Sequence, residues 1–477
     1  MKRLSLPTLL ATASLAGCAG TAGPAAPTLP LAAKAVAWQA PLPHGGRSAE
    51  LAGWWRAFDD PLMPALIEAA QAASPTLVSA RARIERARAL LAASDAGVLP
   101  RVDAVGAAQR ARSLPEAPAV SSAALGVQAA WELDLFGGVA ARQRAGAQRL
   151  RGAEAGWHDA RVSLAADVAA AYVNLRGCEA QLHQAQADAA SREATARLTD
   201  RSAAAGFTAP ADAALVRAGA AQARSQARAQ QAQCDGLVKG LVELTDNPEP
   251  ALRLQLAAAT ARLPQAGGLA TVALPAQLLQ QRPDLAEASA AVIAAAADVA
   301  AARADELPRV SFAGSLQLAS LRSAGVSASG SVWSIGPLQL SLPLFDRGSR
   351  RAATAAQQAA YDEAVAQLQG ATRRALREVE TALVTLEATA ARERDVMGAA
   401  ADSEASLSAT EARQRGGLAS LLDLETARRN ALLARSTIVE LQRERAAAWI
   451  ALYRSLGGGW TPTDAVPTAG APQAPNT

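Results

Sequence analysis

The residues in this sequence of 477 residues that could perform chemistry are few and widely separated. Three cysteines and three histidines are present: Cys18, Cys178, Cys234, His44, His158 and His183. The histidines lack the spacing of metal ligands, and the sequence contains no nucleophile elbow, P-loop or paired acid–base motif. We therefore expect a protein that is not an enzyme and that needs no metal or other cofactor.

Cys18 ends an N-terminal segment with the features of an export signal. Two basic residues precede Leu4 to Leu15, an apolar stretch that is too short to span a bilayer. The tetrapeptide Leu15-Ala16-Gly17-Cys18 resembles a bacterial lipobox, which implies cleavage before Cys18 and attachment of lipid to it. Residues 1–17 are thus predicted to be a signal peptide; an ordinary secretory signal with an incidental cysteine is the alternative. Residues 18–50, rich in Pro, Ala and Gly, are predicted to be the lipid anchor and tether.

The composition favours long helices over a large globular core. Aromatic residues make up 3% of the chain although hydrophobic residues make up 50%, so most apolar side chains are Ala, Leu and Val. The formal charge of +4 does not indicate nucleic-acid binding, because the arginines are dispersed among acidic residues and the chain is predicted to be exported. No stretch after the signal has ~18 uninterrupted apolar residues, so any membrane insertion must use β-strands.

Apolar periodicity divides the mature chain into two halves with the same plan. The first half, residues 51–247, is predicted to contain a helix to about Asp95, two strands within 99–135 with a loop at 112–122, and a hairpin of helices at about 139–204 and 212–244. The second half, residues 248–457, is predicted to contain a linker at 248–273, a helix at about 275–306, two strands within 310–344, and hairpin helices at about 349–414 and 421–456. Residues 458–477 are predicted to be a disordered tail.

The strands are predicted from apolar alternation with a period of two. In the second strand of the first half, the apolar residues are odd-numbered: Leu125, Val127, Ala129, Trp131, Leu133 and Leu135. In the last strand of the second half, the alternating set is even-numbered: Val332, Ser334, Gly336, Leu338, Leu340, Leu342 and Leu344. The long helices show a heptad pattern, and about 65 residues at ~1.5 Å each would reach about 100 Å.

Short motifs recur at an offset of about 210 residues, which marks the two halves as an internal repeat. Leu135-Phe136-Gly137 corresponds to Leu344-Phe345-Asp346, and Gly206 with Asp212 corresponds to Gly417 with Asp423. Further distinctive segments are Trp54-Trp55, Trp131-Glu132-Leu133-Asp134, Gln281-Arg282-Pro283-Asp284-Leu285, Pro337–Gly348, Arg415–Asp423 and Leu456–Trp460. Together these segments resemble the motifs of TolC/OprM-type outer membrane efflux proteins, and most closely the NodT-like lipoprotein branch, over nearly the whole mature chain.

The resemblance implies a homotrimer, lipid-anchored in the outer membrane and extending into the periplasm. The expected fold is mainly α with a small β part: antiparallel helical hairpins would form a trimeric α-barrel, and four strands per chain would contribute to a 12-stranded β-barrel. Independently of the resemblance, four strands cannot close a barrel, and an open sheet edge is not viable in lipid. The breaks at Gly206 and at Gly416-Gly417 would be the periplasmic tips that contact an adaptor.

The implied function is that of the outer-membrane channel of a tripartite efflux pump. The channel would passively conduct small molecules that an inner-membrane pump of the resistance–nodulation–division (RND) type delivers through the periplasmic adaptor. Asp423 would line the closed periplasmic aperture, where three carboxylates around one axis repel each other and attract cations. The alternative is that Asp423 only supports the start of the final helix. The family often has a second Asp three residues later. Here that residue is Thr426, and the nearest acidic residue, Glu425, lies one position earlier, so a second acidic ring is not expected from this match.

Cys178 and Cys234 lie at equal distances along the chain from residue 206, where the first hairpin turns. Antiparallel helices joined there would place the two cysteines opposite each other, and both fall on apolar seams. Because the periplasm is oxidising, a disulfide is predicted. Two small thiols buried in an Ala-lined seam are the alternative.

Two other functions remain open at the level of sequence. A type I protein-secretion duct of the same fold would be encoded beside an ABC exporter with a toxin-like substrate, rather than beside a proton-driven pump and adaptor. A lipid-anchored periplasmic coiled-coil scaffold would lack strands, and the two predicted strand pairs argue against it. An enzyme fits the sequence least.

Overall fold

The computed structural model describes residues 51–112, 115–116, 118–266, 281–461 and 464. The predicted signal peptide, Cys18 and the tether lie outside these residues. A 3₁₀ helix, Leu51–Phe58, is followed by helices α1 (Leu62–Ala73), α2 (Pro75–Ala96), α3 (Gly138–Ala204), α4 (Pro210–Thr245), α5 (Glu249–Ala257), α6 (Pro283–Ala304), α7 (Ser349–Arg415) and α8 (Leu421–Ser455). The strands are β1 (Arg101–Ala111), β2 (Val120–Leu133), β3 (Arg309–Ser323) and β4 (Val326–Ser341).

The four strands form one antiparallel sheet in the order β1-β2-β3-β4. The central pair, β2 with β3, joins the two halves of the sequence, and Leu125 lies opposite Leu318 in its register. The turn between β3 and β4 is formed by Ala324 and Gly325, both with left-handed backbones, as a tight hairpin turn requires. Within the described residues β1 and β4 each pair with one strand only, so both edges of the sheet are open.

A bulge changes which residues of β4 share a face. The β3–β4 register shifts by one residue between Phe312, which pairs with Leu338, and Gly314, which pairs with Ile335. Beyond the shift, odd-numbered residues of β4 continue the face of Leu338 and Leu340. The prediction of one even-numbered face from Val332 to Leu344 is therefore wrong, because the bulge adds a residue to β4 between Ile335 and Leu338, where the large apolar residues change from odd to even positions. The strands β2 and β4 also begin earlier than predicted, at Val120 and Val326.

The sheet belongs to a first compact unit that includes residues 82–154 and 286–370. In this unit α3 and α6 pack through alanines: Ala141, Ala300 and Ala301 form a small buried cluster. A Cβ on Gly138 would come within 3.0 Å of the Cβ of Ala304, so small residues are what allows the two helices to approach. By length and composition alone α6 could cross a membrane, and 44% of its most apolar stretch is buried inside the chain.

The second compact unit, which includes residues 155–285 and 371–477, has an aromatic core. Trp54 is fully buried, and its ring centroid lies 5.9 Å from those of both Trp449 and Tyr453. The predicted linker at 248–273 contains helix α5, because Leu252 and Leu256 recur one turn apart and both are buried in this core. The predicted disordered tail from residue 458 begins with ordered chain: Trp460 is 5% exposed and packs against His158.

Candidate functional site

The turns of the two helical hairpins are built in the same way. Gly206 and Gly417 adopt left-handed backbones, with φ of 79° and 73°. In each turn the next amide donates to the carbonyl five residues earlier, Phe207 to Ser202 at 2.9 Å and Leu418 to Arg413 at 2.8 Å. This is the Schellman arrangement, which satisfies the last carbonyls of a helix and requires glycine for its positive φ. The turns leave two apolar side chains in solvent, Phe207 at 86% exposure and Leu418 at 75%.

Asp423 lies in the first turn of α8, where it forms a capping box with Ser420. Its Oδ2 accepts hydrogen bonds from the Ser420 amide at 2.9 Å and hydroxyl at 2.7 Å, and the Ser420 Oγ accepts one from the Asp423 amide at 3.1 Å. The hydroxyl and amide donors of Ser420 lower the pKa of the Asp423 carboxyl below its usual value. The Asp423 carboxylate thus caps the start of α8, and Asp423 is at the same time exposed to solvent.

Glu425, the other acidic residue near this turn, is engaged in an ion-pair network. Its carboxylate accepts hydrogen bonds from Arg192 of α3 at 2.5 Å and from Arg428 of α8 at 3.2 Å. Arg192 also donates to Asp188 at 2.8 Å, and Arg428 to Thr195 at 2.8 Å. Both Glu425 oxygens are therefore paired with guanidinium groups, whereas Asp423 forms no ion pair with any residue that the structure describes.

The cysteines at positions 178 and 234 form a disulfide between α3 and α4, with their Cα atoms 5.6 Å apart. This is the pair that the symmetric spacing about residue 206 predicted. Both cysteines are buried, at 5% and 4% exposure. The amide of Gln230 donates to the Cys178 sulfur at 3.2 Å, so the bond lies in a packed interface between the two helices.

The sheet has one apolar face and one polar face. The residues of the apolar face, assigned from the strand registers, are Val102, Ala104, Leu125, Val127, Ala129, Trp131, Phe312, Leu316, Leu318, Trp333, Ile335, Leu338 and Leu340. Many of them are large and exposed, with Trp333 at 68% and Ile335 at 78%. The opposite face is mainly polar: it carries Arg101, Asp103, Gln109, Ser122, Gln128, Glu132, Ser315, Gln317, Ser334 and Gln339, together with the apolar Val105, Val120, Leu321, Val326 and Val332. Large apolar side chains exposed in a continuous band indicate contact with another molecule or with lipid.

Two buried groups of the second unit were missed by sequence reasoning. Arg282, inside the segment Gln281–Leu285, is 7% exposed; it donates to Asp284, to Glu378 at 3.0 Å and to the carbonyl of Ser455 at 2.8 Å. It thus fastens the start of α6 to α7 and to the end of α8. His158 is 3% exposed, and burial together with the nearby Arg161 lowers its pKa to about 4.

The described residues contain no group of three or more His, Cys, Asp and Glu side chains that could hold a metal ion. His183 lies on α3, far along the helix from His158, and His44 lies outside the described part of the chain.

Sequence comparison identifies the family. The profile of the outer membrane efflux protein family matches residues 66–245 and 274–458. The chain belongs to this family. Among its relatives, the outer membrane protein OprJ of Pseudomonas aeruginosa is 30% identical over 69% of this chain and 68% of its own length. The probable efflux pump outer membrane protein TtgC of Pseudomonas putida is 30% identical over 90% of this chain and 91% of its own.

The solved structures agree with the family assignment. The outer-membrane channel OprN superimposes with a TM-score of 0.78 at 27% identity, covering 89% of this chain and 99% of OprN. The predicted fold, mainly helical with long antiparallel hairpins and a four-stranded contribution to an outer-membrane channel, is confirmed. The predicted family, outer-membrane location and role as the outer-membrane component of an efflux pump are confirmed as well.

Proposed function

We propose that three copies of this chain form a passive exit duct, to which an inner-membrane pump of the RND type delivers small molecules through a periplasmic adaptor. The observation that carries this proposal is the sheet with two open edges and one exposed apolar face. An open edge in lipid leaves backbone groups without partners, so strands of other copies must pair with β1 and β4. Three copies supply twelve strands, with apolar faces toward lipid and polar faces toward the interior of the duct.

The helical hairpins supply the periplasmic part of the proposed duct. Gly206, Gly416 and Gly417 form the turns, where the exposed side chains of Phe207 and Leu418 offer apolar contacts to an adaptor. Asp423 is the proposed gate residue, because its carboxylate is exposed. Conduction requires no catalytic group and no cofactor. The covalent lipid expected on Cys18 supplements the barrel, so its loss is expected to weaken assembly more than conduction.

The duct is tested by liposome swelling together with drug susceptibility. Purified full-length protein should form particles of three copies and should make liposomes permeable to small solutes. A deletion strain should become more susceptible to several classes of small molecule, and the wild-type gene should restore resistance. Failure of the protein to permeabilise liposomes would contradict the duct. Loss of protein export with unchanged small-molecule susceptibility would instead indicate a protein-secretion duct.

A further inference from the structure

The apolar face of the sheet changes character toward the hairpin turns of the strands. The last large apolar side chains are Leu125 on β2, Leu318 on β3 and Trp333 on β4, which lie on neighbouring strands at nearly the same level. Beyond that level the same face carries only small or polar side chains and two arginines: Ala108, Arg110, Ser121, Ala123, Ser320, Arg322, Ser327, Ser329 and Ser331. We call this region the polar rim.

The two arginines of the polar rim flank one serine. Ser121 pairs with Arg110 of β1 on one side and with Arg322 of β3 on the other, so the arginines are two strands, or about 10 Å, apart. Both are exposed, and neither forms an ion pair with a described residue. An open concavity of about 900 Å³ lies at this end of the sheet. Residues of both faces line it: Arg110, Ser121 and Arg322 from the polar rim, and Gln109 and Leu321 from the opposite face.

Acidic groups of the protein do not balance this positive charge. The four strands contain two acidic residues, Asp103 and Glu132, and both lie on the polar face near the ends that connect to helices. The sequence of the two hairpin turns adds only Glu116, whereas Arg112 adds a further positive charge. A second copy pairing along β1 or β4 would bring the same strands, so it would supply no additional carboxylate to the polar rim.

The position of the polar rim indicates what faces it. From Val310 to Leu318 the apolar face of β3 covers about 27 Å at ~3.4 Å per residue, close to the ~25 Å apolar band of outer-membrane barrels. The helices connect to the other end of the strands, which faces the periplasm in the proposed function. The polar rim therefore lies just beyond the apolar band on the outer side, at the level of the lipid headgroups, and it points toward lipid.

We propose that Arg110 and Arg322 form a binding site for a phosphorylated lipid of the outer leaflet. A guanidinium group presents paired N–H donors that match phosphate oxygens, and it is less strongly hydrated than an ammonium group. Two guanidinium groups on one face, with serine hydroxyls between and beside them, suit a headgroup with more than one phosphate. The acyl chains of such a lipid would lie along Leu125, Leu318 and Trp333. This site rests on the membrane placement of the sheet proposed above.

Binding of lipid A to the full-length protein in detergent tests the site. The probes are lipid A carrying two phosphates, dephosphorylated lipid A, and inorganic phosphate as a competitor. The variant R110Q/R322Q removes both charges and keeps polar side chains of similar length. The matched control, R101Q/R309Q, removes two arginines from the opposite end and opposite face of the same strands.

We expect R110Q/R322Q to bind bisphosphorylated lipid A at least about tenfold more weakly than the wild type, and R101Q/R309Q to bind it unchanged. Dephosphorylated lipid A should bind the wild type as weakly as the bisphosphorylated lipid binds R110Q/R322Q. Equal binding by R110Q/R322Q and the wild type would overturn the proposal. Full displacement by inorganic phosphate would also overturn it, because the site would then take a free anion rather than a lipid.

A second measurement separates this site from the proposed membrane placement. Brominated lipids should quench the fluorescence of Trp333 in reconstituted protein, with W333F as the reference. If Trp333 is not quenched, the membrane placement itself is wrong. If Trp333 is quenched but the affinity for lipid A does not respond to R110Q/R322Q, the sheet lies in the membrane and only the arginine site is wrong.

Discussion

Arg192 and Glu425 form an ion pair across 233 residues of sequence, with 2.5 Å between the Arg192 Nη1 and the Glu425 Oε2. Arg192 belongs to the hairpin of the first repeat and Glu425 to that of the second. Both side chains are mostly buried, with exposures of 17% and 22%, so this contact is less screened by water than a surface pair. It ties the start of α8, which carries Asp423, to α3.

Replacing Glu425 with Gln should loosen the start of α8. Arg192 would keep its contact with Asp188, but Arg428, 11% exposed, would lose its closest carboxylate. Of its carboxylate contacts, Arg428 would then keep the longer one, with Glu411, and weakening the pairing of a mostly buried arginine is costly, so we expect a lower melting temperature and a higher mean conductance in single-channel recordings. The control is Glu411→Gln, whose carboxylate lies 3.7 Å from Arg428 and is 40% exposed. Equal effects of the two substitutions would contradict a special role for the Arg192–Glu425 pair.

Two substitutions separate the helix-capping role of Asp423 from its proposed gating role. Asp423→Asn removes the charge but keeps an oxygen that can accept from Ser420, whereas Ser420→Ala removes the cap and keeps the charge. If the carboxylates form a gate, Asp423→Asn and Asp423→Ala should both raise single-channel conductance or reduce block by cations. Ser420→Ala should reduce the melting temperature with little change in block. A normal cation block in both Asp423 variants would limit this residue to capping.

The parts of the fold that depend on local pattern could be predicted from the sequence. Both hairpin breaks were placed correctly, because a glycine at the end of a heptad pattern signals a left-handed cap. The faces of β4 are predicted incorrectly, because a single period of two is extended across the bulge that lies between Ile335 and Leu338. The shift of the large apolar residues from odd to even positions at that point is the signal of the bulge in the sequence. Helix α5 is not predicted, because its prolines indicate a linker. Its two leucines are buried in a core formed by parts of the chain that are distant in sequence.

Some contacts of the candidate site can be predicted from residue spacing or from a motif, and others cannot. The disulfide partners follow from their equal distances to one turn. The ion pair of Glu425 with Arg192 cannot be predicted from the sequence, because the two residues are 233 positions apart and meet only when the two hairpins pack. The same is true of Arg282: its motif was visible, but the bonds to Glu378 and Ser455 that explain it join three helices.

Replacing both Cys178 and Cys234 with Ser should destabilise the first hairpin. The disulfide closes a loop with a sequence separation of 56 residues, and removing such a constraint costs about 2–4 kcal/mol. The expected result is a lower melting temperature, measured by circular dichroism on the purified protein without reductant. Thiol labelling of denatured, unreduced wild-type protein should find neither cysteine reactive. Two reactive thiols there would contradict the bond, and an unchanged melting temperature in the double variant would contradict its stabilising role.

His158 should make the protein less stable in acid. Its side chain is buried among Trp157, Trp460 and Arg161, with Asp464 also nearby, and burial is the main cause of its low pKa of about 4. The unfolded chain, with a histidine pKa near 6.5, binds a proton that the folded chain does not accept until the pH approaches about 4. The free energy of unfolding should therefore fall as the pH decreases between these two values, by about 3 kcal/mol at most for each chain.

The variant His158→Phe tests this origin of the acid sensitivity. Phenylalanine keeps an aromatic ring beside Trp157 and Trp460 but cannot bind a proton, so the decrease in melting temperature between neutral and mildly acidic pH should become smaller than in the wild type. His183→Gln is the matched control, because it removes another histidine of α3 outside this aromatic group. Its acid response should equal that of the wild type. If His158→Phe keeps the full acid response, a different titrating group must be responsible.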